Sequence, residues 1–569
     1  MPTFTGTNSA DTINGGSGDD IINGAGGNDR LLGNAGNDTI DGGTGSDTMA
    51  GGLGNDSYTV DNTGDYVSEA GNQGTDTVSS SVNLNMTGAV IGGFTAALTD
   101  NDVENATLTG GSNLEVRGNA LANTITGNTG DNTITGGAGA DTLSGGTGND
   151  TFTEGASSGS DTIDGGANTD TVNYSSGSTA VTYNTLANTT TQGSDTDTFT
   201  AVESVVGSSA TTDTVSAAGD SAATINLTTG SVSGITGSVT TVSGFENITG
   251  SSNADTLTGS ASANTISGGA GADTIDGAGG NDTINGGAGS DDITGGAGAA
   301  DVLTYAGDGT AITYATATGD VTQGGDTDIT ATIETVIATS GTDSVNAGGE
   351  AGAVNINLST GVASGLTSGV TTLTAFENVT GGGGADTLTG TSTANTITGG
   401  AGNDTITGGA GNDTLSGGND DDTFTEGASS GSDAITGGGG TDTVNYSSGS
   451  TAISFNTSTG AVTQGGDTDT LATIESIVGS SATTDLINGA ADATITVDLN
   501  GGTMSGTTFG VTAISGFEYV TGSSTADTIT GSTGANRLLG GSGNDTISGG
   551  AGNDTIDGGA GADTLTGGA

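Results

Sequence analysis

Large apolar residues recur along much of the chain at every ninth position, each between two polar neighbours and after a glycine-rich hexapeptide. From Gly268 to Thr304 the sequence reads GGAGADTID, GAGGNDTIN, GGAGSDDIT and GGAGAADVLT. The repeated unit is G-G-x-G-x-D-x-U-x, in which U is a large apolar residue. The polar-apolar-polar triplet predicts a very short β-strand that buries U and exposes its neighbours. Two such units would form one coil of about 18 residues.

The same pattern opens the chain. Its predicted inward-facing residues there are Ile13, Ile22, Leu31, Ile40, Met49 and Tyr58. Stacked coils would bury these side chains in a single file, which predicts an all-β fold: a right-handed parallel β-roll or β-helix solenoid. A disordered glycine-rich linker would show no fixed phase between Gly, Asp and the apolar residue, whereas the phase holds in most units.

A longer module contains these units. FENITG at Phe245 recurs as FENVTG at Phe376 and as FEYVTG at Phe517, and TFTEGASSGSD at Thr151 recurs at Thr423. Repeat blocks therefore alternate with β-rich inserts. The predicted segments are block 1 (1–59), an insert (60–117), block 2 (118–173), an insert (174–249), block 3 (250–305), an insert (306–380), block 4 (381–446), an insert (447–521) and block 5 (522–569).

The inserts are rich in Thr, Val, Ile, Ser and Gly, with apolar residues at alternating positions. We interpret them as wider β-solenoid coils without regular loops, stacked on the nonapeptide coils. Small separate β-domains are the alternative. Continuity is favoured because each FEN or FEY strand leads into the next repeat block without a proline or a polar linker. No helix of useful length is predicted.

The loops offer hard oxygen ligands. Glycines let backbone carbonyls come close together, and each loop adds one Asp carboxylate. The chain has 114 glycines, one proline, no cysteine and no histidine. Carbonyl and carboxylate oxygens suit calcium and suit zinc or copper poorly. The predicted cofactor is therefore calcium at many sites, with calcium-bound nonapeptide coils alternating with calcium-poor inserts.

Net charge links this metal to folding. The formal charge is -62, and the only basic residues are Arg30, Arg117 and Arg537. Without a cation the chain should repel itself and stay expanded, so metal binding and folding should be one event. Extracellular calcium modules bind at about 10⁻⁴ to 10⁻³ M, which predicts a chain that is unfolded inside the cell and folded outside it.

The nonapeptides resemble the RTX (repeats-in-toxin) hemolysin-type calcium-binding repeats over nearly all of the chain, and most of all those of RTX surface-layer and matrix proteins. The resemblance implies one calcium between loops of successive coils. Its ligands would be carbonyls of loop positions two and four with the Asp of one coil, and carbonyls of positions one and three with the Asp of the next. Carried onto this chain and extended to its other loops, the predicted metal ligands are Gly16, Gly18, Asp20, Ala25, Gly27, Asp29, Gly33, Ala35, Asp38, Gly42, Thr44, Asp47, Gly51, Leu53, Asp56, Asp141, Asp150, Gly269, Gly271, Asp273, Ala278, Gly280, Asp282, Gly286, Ala288, Asp291, Gly400, Gly402, Asp404, Asp413, Gly417, Asn419, Asp422, Gly541, Gly543, Asp545, Gly550, Gly552, Asp554, Gly558, Ala560 and Asp563.

Some loops depart from the pattern. Asn takes the Asp position at Asn123, Asn264, Asn395 and Asn536. Asn lacks the charge, so weak or empty sites are expected there. An extra residue precedes Asp301, which is expected to displace that ligand. Gly550, Gly552 and Asp554 would meet Gly567 and Ala569 without a further Asp, which predicts an incomplete site.

Three D-T-D pairs lie in the inserts. They are Asp195 with Asp197, Asp326 with Asp328, and Asp467 with Asp469. An extra metal site or a carboxylate pair for acid-base chemistry is one interpretation. A solvated strand edge is the interpretation we favour.

These features predict a secreted calcium-dependent structural protein that self-assembles as a surface layer, a matrix or a head-to-tail filament. The alternative is the repeat or stalk region of a larger RTX exoprotein whose active part lies elsewhere. The expected partners are other copies of the chain and, through calcium, an anionic cell-surface glycan. The charge argues against nucleic acid, and no apolar run is long enough for membrane insertion.

Catalysis is not expected. Without His or Cys the chain has no Ser-His-Asp triad, no Cys-His pair and no His-ligated zinc. The composition alone does not exclude glycosidase chemistry with two carboxylates. Such a site should also contain aromatic and basic residues, which are scarce in this chain. An ice-binding solenoid is a minor alternative, because the Thr row at loop position three, as at Thr44 and Thr147, is mostly replaced by Ala.

The expected location is extracellular or at the cell surface. The N-terminal stretch MPTFTGTNSADTING lacks the basic and apolar regions of a Sec signal peptide. The RTX resemblance implies export by type I secretion, although no C-terminal signal tail is evident.

Overall fold

Short β-strands build the whole of the described chain. The computed structural model describes residues 1–69, 74–87, 96–98, 102–427 and 429–569. Within these ranges it contains no helix, and hence none that could cross a membrane. The chain divides into two compact units, Met1–Asp291 and Asp292–Ala569. Parts of the predicted insert 60–117 lie outside the described residues.

In each unit the strands belong to two sheets, called here the first and the second. The first sheet of unit 1 contains β1 Thr3–Thr5, β3 Ile21–Asn23, β5 Thr39–Asp41, β7 Ser57–Val60, β9 Thr77–Ser80, β12 Asn105–Leu108, β14 Thr124–Thr126, β16 Thr142–Thr147, β18 Thr162–Ala167, β20 Val181–Asn184, β21 Thr189–Gln192, β22 Asp195–Thr200, β24 Thr214–Ser216, β28 Asn247–Thr249, β30 Thr265–Ala270 and β32 Thr283–Ala288. The second contains β2 Thr12–Gly16, β4 Arg30–Ala35, β6 Thr48–Leu53, β8 Tyr66–Val67, β10 Leu84–Asn85, β11 Ala96–Leu98, β13 Glu115–Arg117, β15 Thr133–Thr135, β17 Thr151–Thr153, β19 Thr171–Asn173, β23 Ser204–Val206, β25 Thr224–Asn226, β26 Ser231–Ser233, β27 Thr241–Ser243, β29 Thr256–Thr258 and β31 Thr274–Asp276.

Unit 2 has the same arrangement. Its first sheet contains β34 Val302–Thr304, β38 Thr335–Ile337, β40 Asn355–Asn357, β41 Val362–Ser364, β42 Thr372–Thr374, β44 Thr387–Thr389, β46 Thr405–Thr407, β48 Thr423–Thr425, β50 Thr443–Asn445, β54 Ser476–Val478, β56 Thr496–Asp498, β57 Thr503–Ser505, β58 Ala513–Ser515, β60 Thr528–Thr530, β62 Thr546–Ser548 and β64 Thr564–Thr566. Its second contains β33 Asp292–Thr294, β35 Ile312–Ala315, β36 Val321–Gln323, β37 Asp326–Ala331, β39 Ser344–Asn346, β43 Asn378–Thr380, β45 Thr396–Ala401, β47 Thr414–Asn419, β49 Ala434–Gly439, β51 Ile453–Asn456, β52 Ala461–Gln464, β53 Asp467–Ala472, β55 Leu486–Asn488, β59 Tyr519–Thr521, β61 Arg537–Leu539 and β63 Thr555–Asp557.

Parallel pairing at the repeat spacing stacks the coils. In unit 1, Ile266 of β30 pairs with Ile284 of β32 in the next coil of the same sheet. Because side chains alternate between the faces of a strand, the apolar residue of each triplet points inward. Ile22, Leu31, Ile40, Met49 and Tyr58 are at most 1% exposed. The predicted all-β, parallel β-roll fold is confirmed, and of the predicted block 1 core only Ile13 is half-buried.

The inserts form wider coils that continue the same sheets. β19 pairs in parallel with β23, which pairs in parallel with β27. The wide coils of the inserts 174–249, 306–380 and 447–521 also contain antiparallel meanders, such as β20, β21 and β22, that the sequence analysis did not predict. The Gln192–Asp195 pair closes a two-residue turn at Gly193 and Ser194, and Gly193 has a φ of 65°. A glycine-containing two-residue turn between alternating strands is a hairpin signal, so this feature was open to prediction.

Candidate metal sites

The loop aspartates of successive nonapeptide coils lie in rows, each one directly before the start of a strand. The backbone N–H of Asp20 donates to Oδ1 of Asp38, one coil later, at 2.8 Å. Asp404 donates in the same way to Asp422 at 2.8 Å. Each of these four side chains is at most 2% exposed. In each pair, one carboxylate oxygen of the later Asp is therefore used to join two coils.

The second oxygen of these carboxylates has no hydrogen-bond partner among the described residues. This holds for Oδ2 of Asp20, Asp29, Asp38, Asp47, Asp56, Asp141, Asp150, Asp161, Asp170, Asp273, Asp404, Asp413, Asp422, Asp433, Asp442, Asp545 and Asp554. A buried, charged oxygen without a partner is strongly unfavourable unless a cation or a proton supplies the missing interaction. These residues therefore fit a bound cation.

Glycine at the first loop position provides the space for it. A Cβ at Gly399 would clash with Oδ2 of Asp404 and would lie 2.6 Å from the carbonyl oxygen of Gly417 in the next coil. A carboxylate oxygen and a carbonyl oxygen of successive coils thus converge where a side chain is missing. Such a set of hard oxygens is the kind that calcium prefers.

A positive φ at the second loop residue keeps the carboxylate available in many of the loops. Gly400 has a φ of 117°, and Ala278 adopts 70° although it is not a glycine. In other loops the second residue lacks this positive φ, and the N–H of Ser251 donates to Oδ2 of Asp255 at 2.6 Å. Where φ is positive this bond does not form in the described loops, so Oδ2 faces the space without a donor.

Burial changes the acidity of these groups. It raises the pKa of Asp273 to about 6 and, together with the charges of Asp386 and Asp422, the pKa of Asp404 to about 7. Hydrogen bonds from the backbone of the preceding coil oppose the rise without cancelling it. Protons and a metal ion would therefore compete for the same oxygens near neutral pH.

The structure brings together the carboxylates that were predicted to share a calcium. In each predicted pair the first Asp donates its N–H to Oδ1 of the second: Asp20 to Asp38, Asp273 to Asp291, Asp404 to Asp422 and Asp545 to Asp563. The predicted Asp ligands are buried, except for the half-buried Asp554 and Asp563 in the last coils. The individual ligand assignments, including the carbonyls, stay predictions.

The asparagine loops satisfy their own polar groups. Oδ1 of Asn264 accepts the N–H of Ser260 at 2.6 Å, and its Nδ2 donates to the carbonyl of Glu246 at 2.7 Å. Asn395 makes the corresponding bonds to Thr391 and Glu377. The side-chain amide thus bridges the coils without an ion. This gives a physical reason for the prediction that these sites are weak or empty.

The expected displacement of Asp301 is wrong. Asp301 is 0% exposed, and its N–H donates to Oε2 of Glu334 at 2.8 Å. Asp170 makes the equivalent bond to Glu203 at 2.9 Å. The loop accommodates the extra residue while the Asp keeps its place at the start of β34.

The second Asp of each D-T-D pair is not at a solvated strand edge. Asp197, Asp328 and Asp469 are each 3% exposed. A buried tyrosine hydroxyl donates to Oδ2 of each one, from Tyr174 at 2.5 Å, Tyr305 at 2.5 Å and Tyr446 at 2.7 Å. The interpretation as a solvated edge is wrong for these residues, because the alternating pattern of the strand turns the second Asp inward.

Four aspartates with the site geometry were missed. They are Asp161, Asp170, Asp433 and Asp442. They belong to coils with a spacing of 20 residues, as in the bond from the N–H of Asp141 to Oδ1 of Asp161 at 2.7 Å. A prediction that requires a strict nine-residue spacing misses these residues. The D-x-U triplet that follows each loop, such as D-T-I at Asp161, is the signal that would have found them.

A parallel β-roll with files of buried, partly unpartnered carboxylates in its loops defines a calcium-binding repeat protein. The family model described as the RTX calcium-binding nonapeptide repeat (4 copies) matches residues 3–31, 24–58, 117–152, 156–179, 242–275, 249–284, 268–300, 377–401, 389–424, 428–451, 514–547, 521–556 and 539–569. These segments cover just over half of the chain, which therefore belongs to the RTX calcium-binding repeat family. Repeats of this family are typical of proteins exported by type I secretion. No curated protein matches the chain.

Proposed function

We propose that this chain is a secreted structural protein that folds when it binds calcium outside the cell and then assembles with copies of itself. The observation that carries the proposal is the set of buried loop carboxylates with one unpartnered oxygen. Sites of extracellular affinity would be empty at cytosolic calcium levels and filled outside the cell. The chain would then gain its fold where it functions.

The outer faces of the strands supply a surface for assembly. Parallel register places Thr387 beside Thr405 and Thr528 beside Thr546, and all four are exposed. These ladders are polar but uncharged, whereas the site carboxylates lie in the loops. Once calcium neutralises the loops, such faces can pack side by side. The same parallel pairing that joins coils within a unit can also join two molecules head to tail.

The architecture favours a structural role over catalysis. A repeat-only, all-β RTX chain is typical of structural repeat regions. The chain contains no His and no Cys, which removes the commonest nucleophile-base pairs. Exposed loop carboxylates would further allow calcium to bridge the chain to an anionic glycan of the cell surface.

Assembly is tested by light scattering and negative-stain microscopy of the purified chain. The chain is first treated with chelator, then titrated with calcium, with magnesium as a parallel control. We expect filaments or sheets that grow with calcium, dissolve with chelator and do not form with magnesium. A calcium-loaded chain that stays monomeric at every concentration would overturn self-assembly and favour the stalk of a larger exoprotein.

A further inference from the structure

Three loops of a second type interrupt the nonapeptides. They read EAGNQGTD from Glu69 to Asp76, EGASSGSD from Glu154 to Asp161, and EGASSGSD from Glu426 to Asp433. All three fit E-x-x-x-x-G-[ST]-D and are here called the Glu loops. A Glu stands in each where the nonapeptide has its first glycine, and two additional residues separate it from the Asp.

The three glutamates are buried, and each has at least one carboxylate oxygen without a hydrogen-bond partner among the described residues. Glu69 is 0% exposed, and Glu154 and Glu426 are each 1% exposed. Among the described residues, Oε2 of Glu69 and both carboxylate oxygens of Glu154 and of Glu426 accept no hydrogen bond. A carboxylate is kept in such a place at a large desolvation cost unless a cation or a proton meets it. A buried Glu with an unpartnered oxygen at the same loop position in three places argues against an accident of packing.

At Glu69 three carboxylates converge. One oxygen from each of Asp56, Glu69 and Asp76 lies within 4.8 Å of the others, and all three residues are buried. The N–H of Asp56 donates to Oδ1 of Asp76 at 2.8 Å, and the N–H of Gly51 donates to Oε1 of Glu69 at 3.0 Å. These two bonds hold the carboxylates of Asp76 and Glu69, while Oδ2 of Asp56 and Oε2 of Glu69 keep no partner within the described chain.

At Glu154 a buried Glu begins the same kind of loop, with an Asp pair, beside a surface cleft. The N–H of Asp141 donates to Oδ1 of Asp161 at 2.7 Å, and Oδ2 of both aspartates has no partner in the described residues. The cleft has a volume of about 300 Å³, and Glu154, Ser157 and Ser158 are among its lining residues. It gives an ion a route to the buried carboxylate. In unit 2, Asp413 donates in the same way to Asp433, beside Glu426, at 2.7 Å.

We propose that the Glu loops are a second class of calcium site, which binds more tightly than the nonapeptide sites and fills first. The proposal deepens the calcium dependence on which the proposed function rests. A nonapeptide site joins the aspartates of two coils, whereas a Glu loop adds a third carboxylate to such a pair. Ligand charge is one of the main determinants of calcium affinity, so the additional carboxylate should raise it. A proton shared between Glu and Asp is the competing explanation.

Equilibrium dialysis of the full chain with calcium tests the proposal. The variants are Glu154→Gln, which keeps the shape and removes one charge, and the triple variant Glu69→Gln/Glu154→Gln/Glu426→Gln. The control is Asp164→Asn, which removes one exposed charge from the neighbouring strand β18. We expect one ion fewer in the tightest class for Glu154→Gln, three fewer for the triple variant and no change for the control. The affinity of each altered loop should fall about tenfold or more.

Terbium luminescence gives a second readout on the unaltered chain. The chain contains no Trp, so tyrosine is the sensitiser. Tyr58 and Glu69 accept the same N–H of Gly51, and Tyr174 is bonded to Asp197, which accepts the N–H of Asp161. We expect emission to saturate within the first few equivalents. Tyr174→Phe should lower this early emission. Tyr305 belongs to a repeat block without a Glu loop, so Tyr305→Phe should not lower it.

The outcomes separate this proposal from the proposed function. An unchanged tight class in the triple variant, or emission that rises evenly until all sites are filled, would overturn the Glu-loop sites. A proton shared between Glu and Asp would produce those results as well. Calcium-dependent assembly would remain intact in that case. Failure of assembly with normal Glu-loop binding would instead overturn only the self-assembly.

Discussion

At the scale of the residue, one backbone angle distinguishes the Asp273 loop, which can hold a cation, from the Asp255 loop, which satisfies itself. Both kinds place a buried Asp at the same point, as Asp273 and Asp255 show. The positive φ of Gly269, 111°, leaves Oδ2 of Asp273 without a donor, whereas Ser251 donates its N–H to Asp255. Glycine at loop position two is therefore favoured by backbone conformation as well as by space, although Ala278 also adopts this angle.

Replacing Gly400 by Ala tests this requirement. Gly400 has a φ of 117°, which an L side chain rarely adopts, and its Cβ would clash with the carbonyl oxygen of Gly382. We expect Gly400→Ala to lower the free energy of unfolding by about 1 kcal/mol or more. The measurement is chemical denaturation at saturating calcium. Gly439→Ala is the control, because a Cβ there meets nothing within 4 Å, and it should change little. Equal effects of the two variants would contradict the account.

Replacing Asp273 by Asn tests a single nonapeptide site. The side chain keeps its Oδ1 acceptor for the N–H of Asp255 and loses the charge that faces the cation. We expect one calcium fewer in calorimetry and a loss of about 2.7 kcal/mol in unfolding free energy at calcium 100-fold above the site's Kd. Asp276→Asn, on the exposed side of β31, should leave both quantities unchanged. An unaltered calcium count in Asp273→Asn would show that this carboxylate binds no ion.

At the scale of the element, buried tyrosines hold the antiparallel meanders that contain the D-T-D pairs. Tyr446 is 0% exposed and its hydroxyl donates to Oδ2 of Asp469 in β53 at 2.7 Å. Oδ1 of Asp469 accepts the N–H of Asp433 at 3.0 Å. The D-T-D strand is thus tied both to the Glu loop that ends at Asp433 and to the core. Its second Asp acts as a structural acceptor.

Tyr446→Phe should destabilise unit 2 by removing the hydroxyl and leaving Oδ2 of Asp469 buried without its donor. The expected loss is about 1 to 3 kcal/mol of unfolding free energy. Thermal or chemical denaturation at saturating calcium measures it. Tyr519→Phe, at a half-buried tyrosine of β59, is the matched control. If Tyr446→Phe were as stable as the control, the tyrosine-aspartate bond would contribute nothing.

Sequence periodicity predicted the nonapeptide elements well and the rest less well. The nine-residue phase gave the inward residues, because burial of one side chain per triplet is all that such a short strand requires; Ile266 and Ile284 are examples. It missed Asp161 because two additional residues in that loop shift the phase. It placed Asp197 at a solvated edge because nothing local shows that Tyr174 lies across from it. The local sequence pattern does not show which residue of another strand will contact a given side chain.

At the scale of the whole molecule, the net charge of -62 means that the chain needs bound cations to fold near neutral pH. The loop carboxylates are drawn together by coil stacking and are buried by it, and both effects oppose ionisation. Burial raises the pKa of Asp404 to about 7 and that of Glu69 to about 8. Without metal, the folded chain must either take up protons or unfold.

The pH dependence of the metal-free chain follows from these raised pKa values. A raised folded-state pKa gives stability that is complete below the unfolded value of 3.8 and is lost as pH rises through about 6 to 7. In chelator we therefore expect more β-structure in far-UV circular dichroism at pH 5 than at pH 7.5. Saturating calcium should remove most of this difference. A chelated chain with less β-structure at pH 5 than at pH 7.5 would contradict the sign.

Calcium-coupled folding is the central claim, and one measurement tests it most directly. Far-UV circular dichroism and small-angle X-ray scattering would follow the full chain at pH 7.5, first in chelator and then with increasing calcium. The account predicts an expanded chain with little β-structure in chelator, and a cooperative gain of β-structure with a fall in radius of gyration as calcium is added. A chain that keeps the same β-structure and the same radius in chelator and in calcium would contradict it.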